Sequence, residues 1–386
     1  VSLKIAMVGR AYTGSTQARY WTFTATQLKE MRESLQKCTA EKLKAAQASH
    51  GDSTTSISVL TVEEEDLLRL FHEKKLQQYC HERNANDPTR FTRRLMLTAQ
   101  TYFKRFFLKV SMLEENPKEV LLAALYLAGK IEEEKVEMDD LLPTYAPHLK
   151  PEALVAVELR LLEAMRFQLV TCSPYRSLIG FLQDLQSWHA EQRRDENLTQ
   201  VLQLLQERAM ELIGRSLCSD ALFCFTPQQL ALASLHEAAM QAGQRCSDVI
   251  SKWLQCRFQF LQEHPDHENE NVQYLLKQLA AIQEQLQHVA THELNVNPDG
   301  ARRKLEHIEE RRKAACKLMK AHKAAQDEAM RQEVRAKKHA KSSQQEHRVI
   351  QGALEVTRDT DEAFTTAKRR RKHESIEEPH SIKESN

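Results

Sequence analysis

One helical pattern occurs twice in this sequence, and it constrains the fold more than any other feature. The first copy begins with Asn116 as N-cap and Pro117 at the first helical position, and the second begins with Thr226 and Pro227 in the same roles. Leucine and alanine then recur at the same helical positions of both copies, 110 residues apart. Because solenoid repeats have periods of roughly 20–50 residues, this longer offset indicates a duplicated helical domain.

The rest of the sequence favours an all-α fold. Only 9 of the 386 residues are glycine, and runs of β-branched residues are few. Apolar periodicity and capping residues predict five helices in each of the two domains. By residue number they run over about 61–84, 91–108, 116–130, 138–142 and 151–167 in the first domain, and about 174–186, 197–217, 226–242, 247–260 and 270–291 in the second.

Polar stretches between the predicted helices divide the chain into six segments. They are 1–18, predicted to be a disordered leader; 19–60, an N-terminal helix and linker; 61–170 and 171–296, the two helical domains; 297–319, a C-terminal docking helix; and 320–386, a charged tail that is exposed or disordered. Trp21 and Phe23 directly precede the N-terminal helix, and we expect them to anchor it. Since the leader offers no apolar stripe, its deletion is expected to change little.

The charged residues are unevenly distributed. From Val62 to Phe260 there are 24 Lys and Arg against 28 Asp and Glu, a net charge of −4, whereas residues 301–341 hold 14 against 6, a net charge of +8. A compact basic cluster in the tail is a candidate nuclear import signal, although such runs also arise by chance in polar tails. It consists of Lys368, Arg369, Arg370, Arg371 and Lys372. The basic tail, and not the acidic body, is therefore the candidate for nucleic-acid binding.

The motifs of common enzyme and metal sites are missing from the sequence. It has no Gly-rich phosphate loop, no H-E-x-x-H, no G-x-S-x-G and no kinase catalytic-loop signature. Its eight cysteines include no C-x-x-C and no Cys/His grouping at zinc spacing, which fits a reducing compartment. We therefore expect no catalytic residues, no metal and no cofactor. No apolar run approaches the roughly 18 residues of a membrane helix, so no membrane association is expected.

Glu158 is the most unusual residue of the first domain. On a helical wheel it lies between Leu154 and Leu162, in the middle of an apolar stripe. A buried carboxylate without a partner is costly, so we expect a partner from another helix. Lys130 is the candidate, and two interpretations of it remain open. It is either a helix-end cation stabilised by some tenths of a kcal/mol, or it pairs with Glu158 on a surface made for another protein.

The residues around this pair resemble a known family. The run from Leu127 through Lys130 and Ile131 to Glu133, followed by Glu158, is similar to the first box of a cyclin. The resemblance implies two tandem five-helix cyclin boxes flanked by N- and C-terminal helices. It also implies that these five residues bind a cyclin-dependent kinase.

Further motifs are similar to those of the cyclin H subfamily in order and spacing. They are Trp21-Thr-Phe23, Tyr102-Phe-Lys-Arg-Phe106 and Pro174-Tyr-Arg176, and the resemblance covers about residues 19–319. It implies a non-catalytic nuclear subunit that activates the kinase of the CDK-activating complex, together with a RING-finger assembly factor and the TFIIH core. The implied substrates are kinase activation segments and the RNA polymerase II C-terminal domain.

Two alternatives stand beside this interpretation. A cyclin C-like transcriptional cyclin is the near neighbour within the family, and a nucleic-acid-binding protein of the cyclin fold belongs to another functional class. The latter needs a basic face for phosphates, whereas the body of this chain is net acidic. The Met-Arg-Ala-Ile-Leu run that builds a substrate-docking groove in cell-cycle cyclins is absent from the first predicted helix of the first box, so docking of Arg-x-Leu substrates is not expected.

Overall fold

The computed structural model describes residues 10–50, 57–86, 91–191, 198–259, 277, 279–285, 287 and 298–374. Within these ranges the regular structure is helical and no strand occurs. The helices are α1 (Arg10–Thr13), α2 (Thr16–Tyr20), α3 (Ala25–His50), α4 (Val62–Asn86), α5 (Arg93–Phe107), α6 (Pro117–Ile131), α7 (Met138–Tyr145), α8 (Pro151–Ala164), α9 (Pro174–Glu191), α10 (Leu198–Ser216), α11 (Ala221–Cys224), α12 (Pro227–Ala242), α13 (Gln244–Gln259) and α14 (Pro298–Glu374). The predicted all-α class is confirmed.

Each domain is built around its copy of the repeated helix. In the first domain α6 packs against α5 and α8, and in the second α12 packs against α9 and α10. Small side chains such as Ala123 and Ala124 on α6, and Ala231 and Ala233 on α12, are completely buried. They keep both helices thin, so neighbouring helices approach closely from several sides.

The predicted helix starts are present at these central elements. Asn116 Oδ1 accepts a hydrogen bond from the backbone N–H two residues later at 3.2 Å, and Thr226 forms a capping box with Gln229. A second capping box joins Thr24 and Gln27 ahead of α3, with bonds of 2.8 and 3.2 Å. Each cap satisfies N–H groups that the first helical turn leaves free, so these residues determine where the helices begin.

The second domain differs from its prediction in two places. α11 is a single four-residue turn that the sequence analysis did not predict. The predicted fifth helix, about residues 270–291, is helical where it is described, at 277, 279–285 and 287. The rest of that segment lies outside the described residues.

Residues 10–18 pack against the body, and the prediction of a disordered leader was wrong for them. Tyr12 and Gln17 are buried, and Gln17 Oε1 accepts a 2.7 Å hydrogen bond from Cys172 N. Helices of four and five residues are too short to display an apolar period, so a search for periodicity misses them. Because deletion of this segment would remove a partner from a backbone N–H, we now expect it to cost stability. Residues 1–9 lie outside the described residues.

Helix α5 carries two buried cations that join the domains. Lys104 Nζ lies 2.9 Å from Glu73 Oε1 and donates to Ser219 O of the second domain at 3.0 Å. Arg105 donates to two carbonyl oxygens of the linker between the domains, at 2.7 and 3.0 Å. The Arg105 guanidinium also lies 5.0 Å from the ring of Trp21. Both cations thus have the oxygen partners that a buried charge requires.

The first part of α14 belongs to the same compact body as the two domains. This part ends at Lys320, and it buries Leu305 and Ile308. Arg311 adds a two-pronged ion pair with Glu64 at the start of α4, at 2.6 and 3.2 Å. Apolar burial and a paired charge together fix this helix to the first domain.

Beyond Lys320, α14 forms a separate unit. Nearly all of its described side chains are exposed. In the basic cluster, Lys368 and Arg369 are exposed, and the side chains of residues 370–372 lie outside the described ones.

Membrane-spanning helices and metal clusters are both absent from the described residues. No helix there is long and apolar enough to cross a membrane. No group of three or more His, Cys, Asp or Glu side chains in the same ranges is placed to hold a metal ion. All eight cysteines are free, and four of them are buried, where a thiol acts as a small apolar side chain.

Protonation of His72 should make folding pH-dependent. The imidazole lies against Phe103, with ring centroids 6.4 Å apart, and burial lowers the pKa of His72 to about 4. The unfolded chain binds the same proton near the ordinary pKa of about 6.5. The stabilisation that neutral His72 gives the folded protein is therefore complete above about pH 6.5. It is lost as the pH falls from there to about 4, the pKa of His72 in the folded protein. Between about pH 7.5 and pH 5, the free energy of unfolding should fall by up to about 2 kcal/mol because of this residue.

Urea unfolding at the two pH values measures this loss. In the control variant His72→Gln, the side chain has no proton to gain, so its stability should fall less over the same interval. An equal fall in the variant and the parent chain would assign the pH dependence to other groups.

Candidate functional site

Lys130 and Glu158 form an ion pair. α6 ends one residue after Lys130, and α8, which packs against α6, carries Glu158 in its middle. Lys130 Nζ lies 2.7 Å from Glu158 Oε1 and 2.9 Å from Oε2. The side chain of Glu158 is 8% exposed and that of Lys130 is 48% exposed. The pair therefore has one desolvated member and one member at the surface.

Tyr126 holds Lys130 on a second side. The ammonium nitrogen lies 4.1 Å from the centre of the Tyr126 ring, one turn earlier on α6. A cation over an aromatic face gains about 0.5–1 kcal/mol at exposed sites. The two contacts restrict a long side chain before any partner arrives, which lowers the entropy that binding would cost.

The acidic run after α6 alternates between bonded and exposed side chains. Glu132 accepts a 2.6 Å hydrogen bond from Thr98 Oγ1, and Glu134 accepts one from Thr92 N at 3.1 Å. Glu133 between them is exposed and has a left-handed φ of 57°. A non-glycine residue in this conformation is strained, and the bonds of its two neighbours hold it there.

One of the five residues assigned to kinase binding lies inside the protein. Lys130, Ile131 and Glu133 are exposed, and Glu158 pairs with Lys130 at the rim. Leu127 is only 4% exposed and belongs to the hydrophobic core. The face of α6 that carries Leu127 packs into the first domain, and its assignment to kinase binding stays a prediction. Leu127 supports the site from within.

Two exposed apolar residues on α8 were missed by the sequence analysis. Val155 and Leu159 are 48% and 53% exposed. They lie one turn apart beside Glu158, whereas Leu154 and Leu161 are fully buried on its other side. The sequence does show that α8 carries apolar residues on more than one face. The sequence analysis treated them as one buried stripe and therefore did not separate the exposed residues from it. Glu158 thus separates a buried stripe from an exposed one.

We call Lys130, Ile131, Val155, Glu158 and Leu159 the Lys130 surface. Scattered exposed apolar residues are ordinary, but an apolar stripe beside a desolvated ion pair is typical of a protein-binding surface. Its chemistry is suited to binding. The apolar side chains can pack against a partner, and the ammonium group has three N–H donors, of which Glu158 takes two.

The linker after α8 presents a further exposed aromatic residue. Phe167 is 62% exposed, and both Arg166 and Phe167 have left-handed φ angles, of 52° and 56°. The backbone two residues after Phe167 is held from the protein interior, because the Tyr102 hydroxyl donates a 2.7 Å hydrogen bond to Leu169 O. Strain of this kind costs about 1–3 kcal/mol per residue and persists only where the surroundings impose it. Phe167 is therefore held in its exposed position.

The two predicted anchors of the N-terminal helix lie against the body. Trp21 is buried. Phe23 N donates to Phe223 O at 2.8 Å, and the two phenylalanine rings meet edge to face with centroids 6.1 Å apart. These contacts fix the start of α3 on the second domain.

Gly129 allows the chain to fold back against the end of α6. A Cβ atom at this position would lie 2.6 Å from Val136 Cγ2 and 3.0 Å from Glu134 O, closer than real Cβ contacts. Glu134 N also donates to Gly129 O at 2.9 Å. The close return of the acidic run therefore needs a glycine directly before Lys130.

Two similar helical domains in one body, with an ion pair at the end of the repeated helix in the first, define a protein of paired cyclin boxes. The chain matches the family model described as "Cyclin, N-terminal domain" over residues 84–170 and the model described as "Cyclin C-terminal domain" over residues 173–289. The chain belongs to the cyclin family.

Its relatives include proteins named cyclin H. It is 29% identical to Cyclin-H1-1 of Arabidopsis thaliana, over 58% of this chain and 69% of that protein. It is 26% identical to Cyclin-H of Xenopus laevis, over 76% of this chain and 91% of that protein. Its fold is similar to a chain in the structure of the CAK complex from Chaetomium thermophilum bound to ATP-gamma-S, with a TM-score of 0.63, 24% identity and coverage of 85% of this chain and 96% of that chain. The resemblance to the cyclin H subfamily is confirmed.

Substitution of Gly129 tests the close return beside Lys130. Gly129→Ala should lower the free energy of unfolding by about 1–3 kcal/mol, since the new methyl group overlaps packed atoms. Gly180 on α9 is the matched control, because a Cβ there meets nothing within 4 Å. Gly180→Ala should stabilise the protein by about 0.5–1 kcal/mol through helix propensity alone. Urea unfolding measures both, and similar effects of the two substitutions would refute the close approach.

Proposed function

We propose that this chain is the non-catalytic cyclin subunit of a cyclin-dependent kinase and that the kinase binds the Lys130 surface. The observation that carries the proposal is the Lys130–Glu158 pair, in which a carboxylate with 8% side-chain exposure lies beside an exposed apolar stripe. For stability alone, a well-packed apolar residue would serve as well as a desolvated ion pair. A binding role accounts for a charge in this position.

The Lys130 surface fits an amphipathic helix of the kinase. Ile131, Val155 and Leu159 supply apolar contact area, and Lys130 supplies a free N–H donor for a backbone carbonyl of the partner. In protein kinases, helix αC carries a glutamate that must pair with the lysine of strand β3 before phosphate transfer. A cyclin held against αC keeps that pair assembled. It thereby activates the kinase without contributing a catalytic group.

The similarity to cyclin H supports a more specific assignment. We place the chain in a nuclear assembly with the kinase catalytic subunit, a RING-finger assembly factor and the TFIIH core. Its substrates would be kinase activation segments and the RNA polymerase II C-terminal domain. The support is the resemblance over about residues 19–319 and the shared fold with a chain of the CAK complex. The basic cluster at residues 368–372 favours nuclear import.

Reconstitution tests the activator role. We expect the purified chain alone to transfer no phosphate, and the catalytic subunit to gain activity when the chain is added. Labelled phosphate incorporated into an activation-segment substrate and into a C-terminal-domain repeat peptide is the measurement. Phosphate transfer by the chain itself, in a preparation free of kinase, would contradict a purely regulatory role.

Removal of either charge of the pair should weaken kinase binding. Lys130→Ala and Glu158→Ala each leave the other charge unpaired when the kinase covers it, so each should cost roughly 2–5 kcal/mol of binding free energy. A double-mutant cycle should give a coupling energy above the few tenths of a kcal/mol expected for an exposed pair. Isothermal titration calorimetry with the catalytic subunit measures these values.

Met240 provides the matched control for these substitutions. It occupies the position of Lys130 in the second domain and is exposed. Met240→Ala should bind the kinase as the parent chain does. If Lys130→Ala and Glu158→Ala also bind like the parent chain, the kinase contact lies elsewhere and Lys130 is a helix-end cation.

A further inference from the structure

A cleft between the two domains has no role in the proposed kinase contact. Its volume is about 1330 Å³, above the range of about 300–1,000 Å³ that small-molecule pockets usually have. It is lined from the first domain, the linker and the second domain, and the first turns of α5, α9 and α12 lie along it. The size and the open position suit a segment of another protein chain.

Arginines dominate the charge of this cleft. Arg93, Arg94 and Arg176 line it, and the carboxylate that lines it, Glu132, pairs with Arg94. Arg93 and Arg176 are exposed and have no carboxylate partner in the part of the chain that the structure describes. The starts of three helices add the partial positive charge of their first N–H groups to the same space. The cleft therefore favours an anionic ligand.

The floor of the cleft distinguishes between anionic ligands. Met96, Tyr175 and Ile179 give it an apolar surface. Apolar side chains of a peptide can pack on this floor, whereas a phosphodiester backbone offers none.

We propose that this cleft binds an acidic segment of a partner protein, with Asp or Glu side chains on Arg93 and Arg176 and apolar side chains on the floor. Such a segment matches the volume, the basic rim and the apolar floor together. A nucleic acid would instead meet a body of net charge −4 over residues 62–260. The proposal does not rest on kinase binding, because the two arginines belong to the starts of α5 and α9 and not to the Lys130 surface.

Fluorescence anisotropy with the full chain tests the cleft. The probe is a short fluorescein-labelled peptide in which Asp and Glu alternate with Leu and Phe. We expect saturable binding that weakens as salt is raised, because the contacts are charged and partly exposed. The double variant Arg93→Gln/Arg176→Gln should bind about 2- to 30-fold more weakly, which is the range for the loss of two exposed ion pairs.

A second double variant controls for overall charge. Arg245→Gln/Lys252→Gln removes the same charge from exposed residues outside the cleft lining and should bind the peptide like the parent chain. A peptide with Asn and Gln in place of Asp and Glu should bind more weakly. Equal peptide affinity of the cleft variant and the parent chain, or an equal loss in both double variants, would overturn the proposal. Tighter binding of a single-stranded oligonucleotide than of the peptide would do so as well.

Two further measurements, of folding and of kinase binding, show whether the substitutions act only on the cleft. Their arginines and lysine are exposed, so circular dichroism should show unfolding at the parent urea concentration. Kinase binding by the cleft variant should be unchanged. Loss of peptide binding with kinase binding retained supports the cleft as a separate site, whereas joint loss would mean that the substitutions act on the fold and would remove the support.

Discussion

The arrangement of the two cyclin boxes depends on the burial of two cations from α5 against oxygen atoms of the rest of the chain. An isolated charge in the interior costs several kcal/mol, so Lys104 and Arg105 are tolerated only where their partners lie. Burial lowers the pKa of Arg105 to about 10, so the guanidinium remains charged at neutral pH. Any other placement of the linker would leave Arg105 without its two carbonyl acceptors, and any other placement of Ser219 would leave Lys104 with Glu73 alone. The first box therefore dictates where the second begins.

A second set of charges extends this constraint to the N-terminal helix. Arg32 of α3 donates two hydrogen bonds of 2.7 Å to Asp220 of the second box. Burial alone would raise the pKa of Asp220, but the guanidinium groups of Arg69 and Arg32 hold this pKa well below its usual range. The carboxylate is thus ionised at neutral pH. α3, α4 and the second box meet at one permanent negative charge, which explains why a helix outside the boxes belongs to the same body.

Sequence patterns predicted the parts of this structure that depend on local chemistry. Caps such as Asn116 and the apolar periods around them gave the helices, and the position of Glu158 indicated that a partner lay on another helix. Three-dimensional packing decided what the patterns left open. Val155 and Leu127 are both apolar residues on amphipathic helices, yet one is exposed and the other buried, because exposure depends on which neighbour covers each face. The acceptors of Arg105 are linker carbonyls, and backbone carbonyls carry no residue-specific signal in a sequence.

The segment after α6 contributes to both surfaces without joining them into one site. Ile131 and Glu133 lie with Lys130, whereas Glu132 lines the inter-box cleft and pairs with Arg94. The acidic ligand proposed for the cleft would pair with Arg93 and Arg176 and would leave the Glu132–Arg94 pair intact. Glu132 also accepts a 2.6 Å hydrogen bond from Thr98 Oγ1, so two contacts hold the segment at the edge of the cleft. The kinase contact proposed for the Lys130 surface and the ligand proposed for the cleft therefore draw on separate side chains.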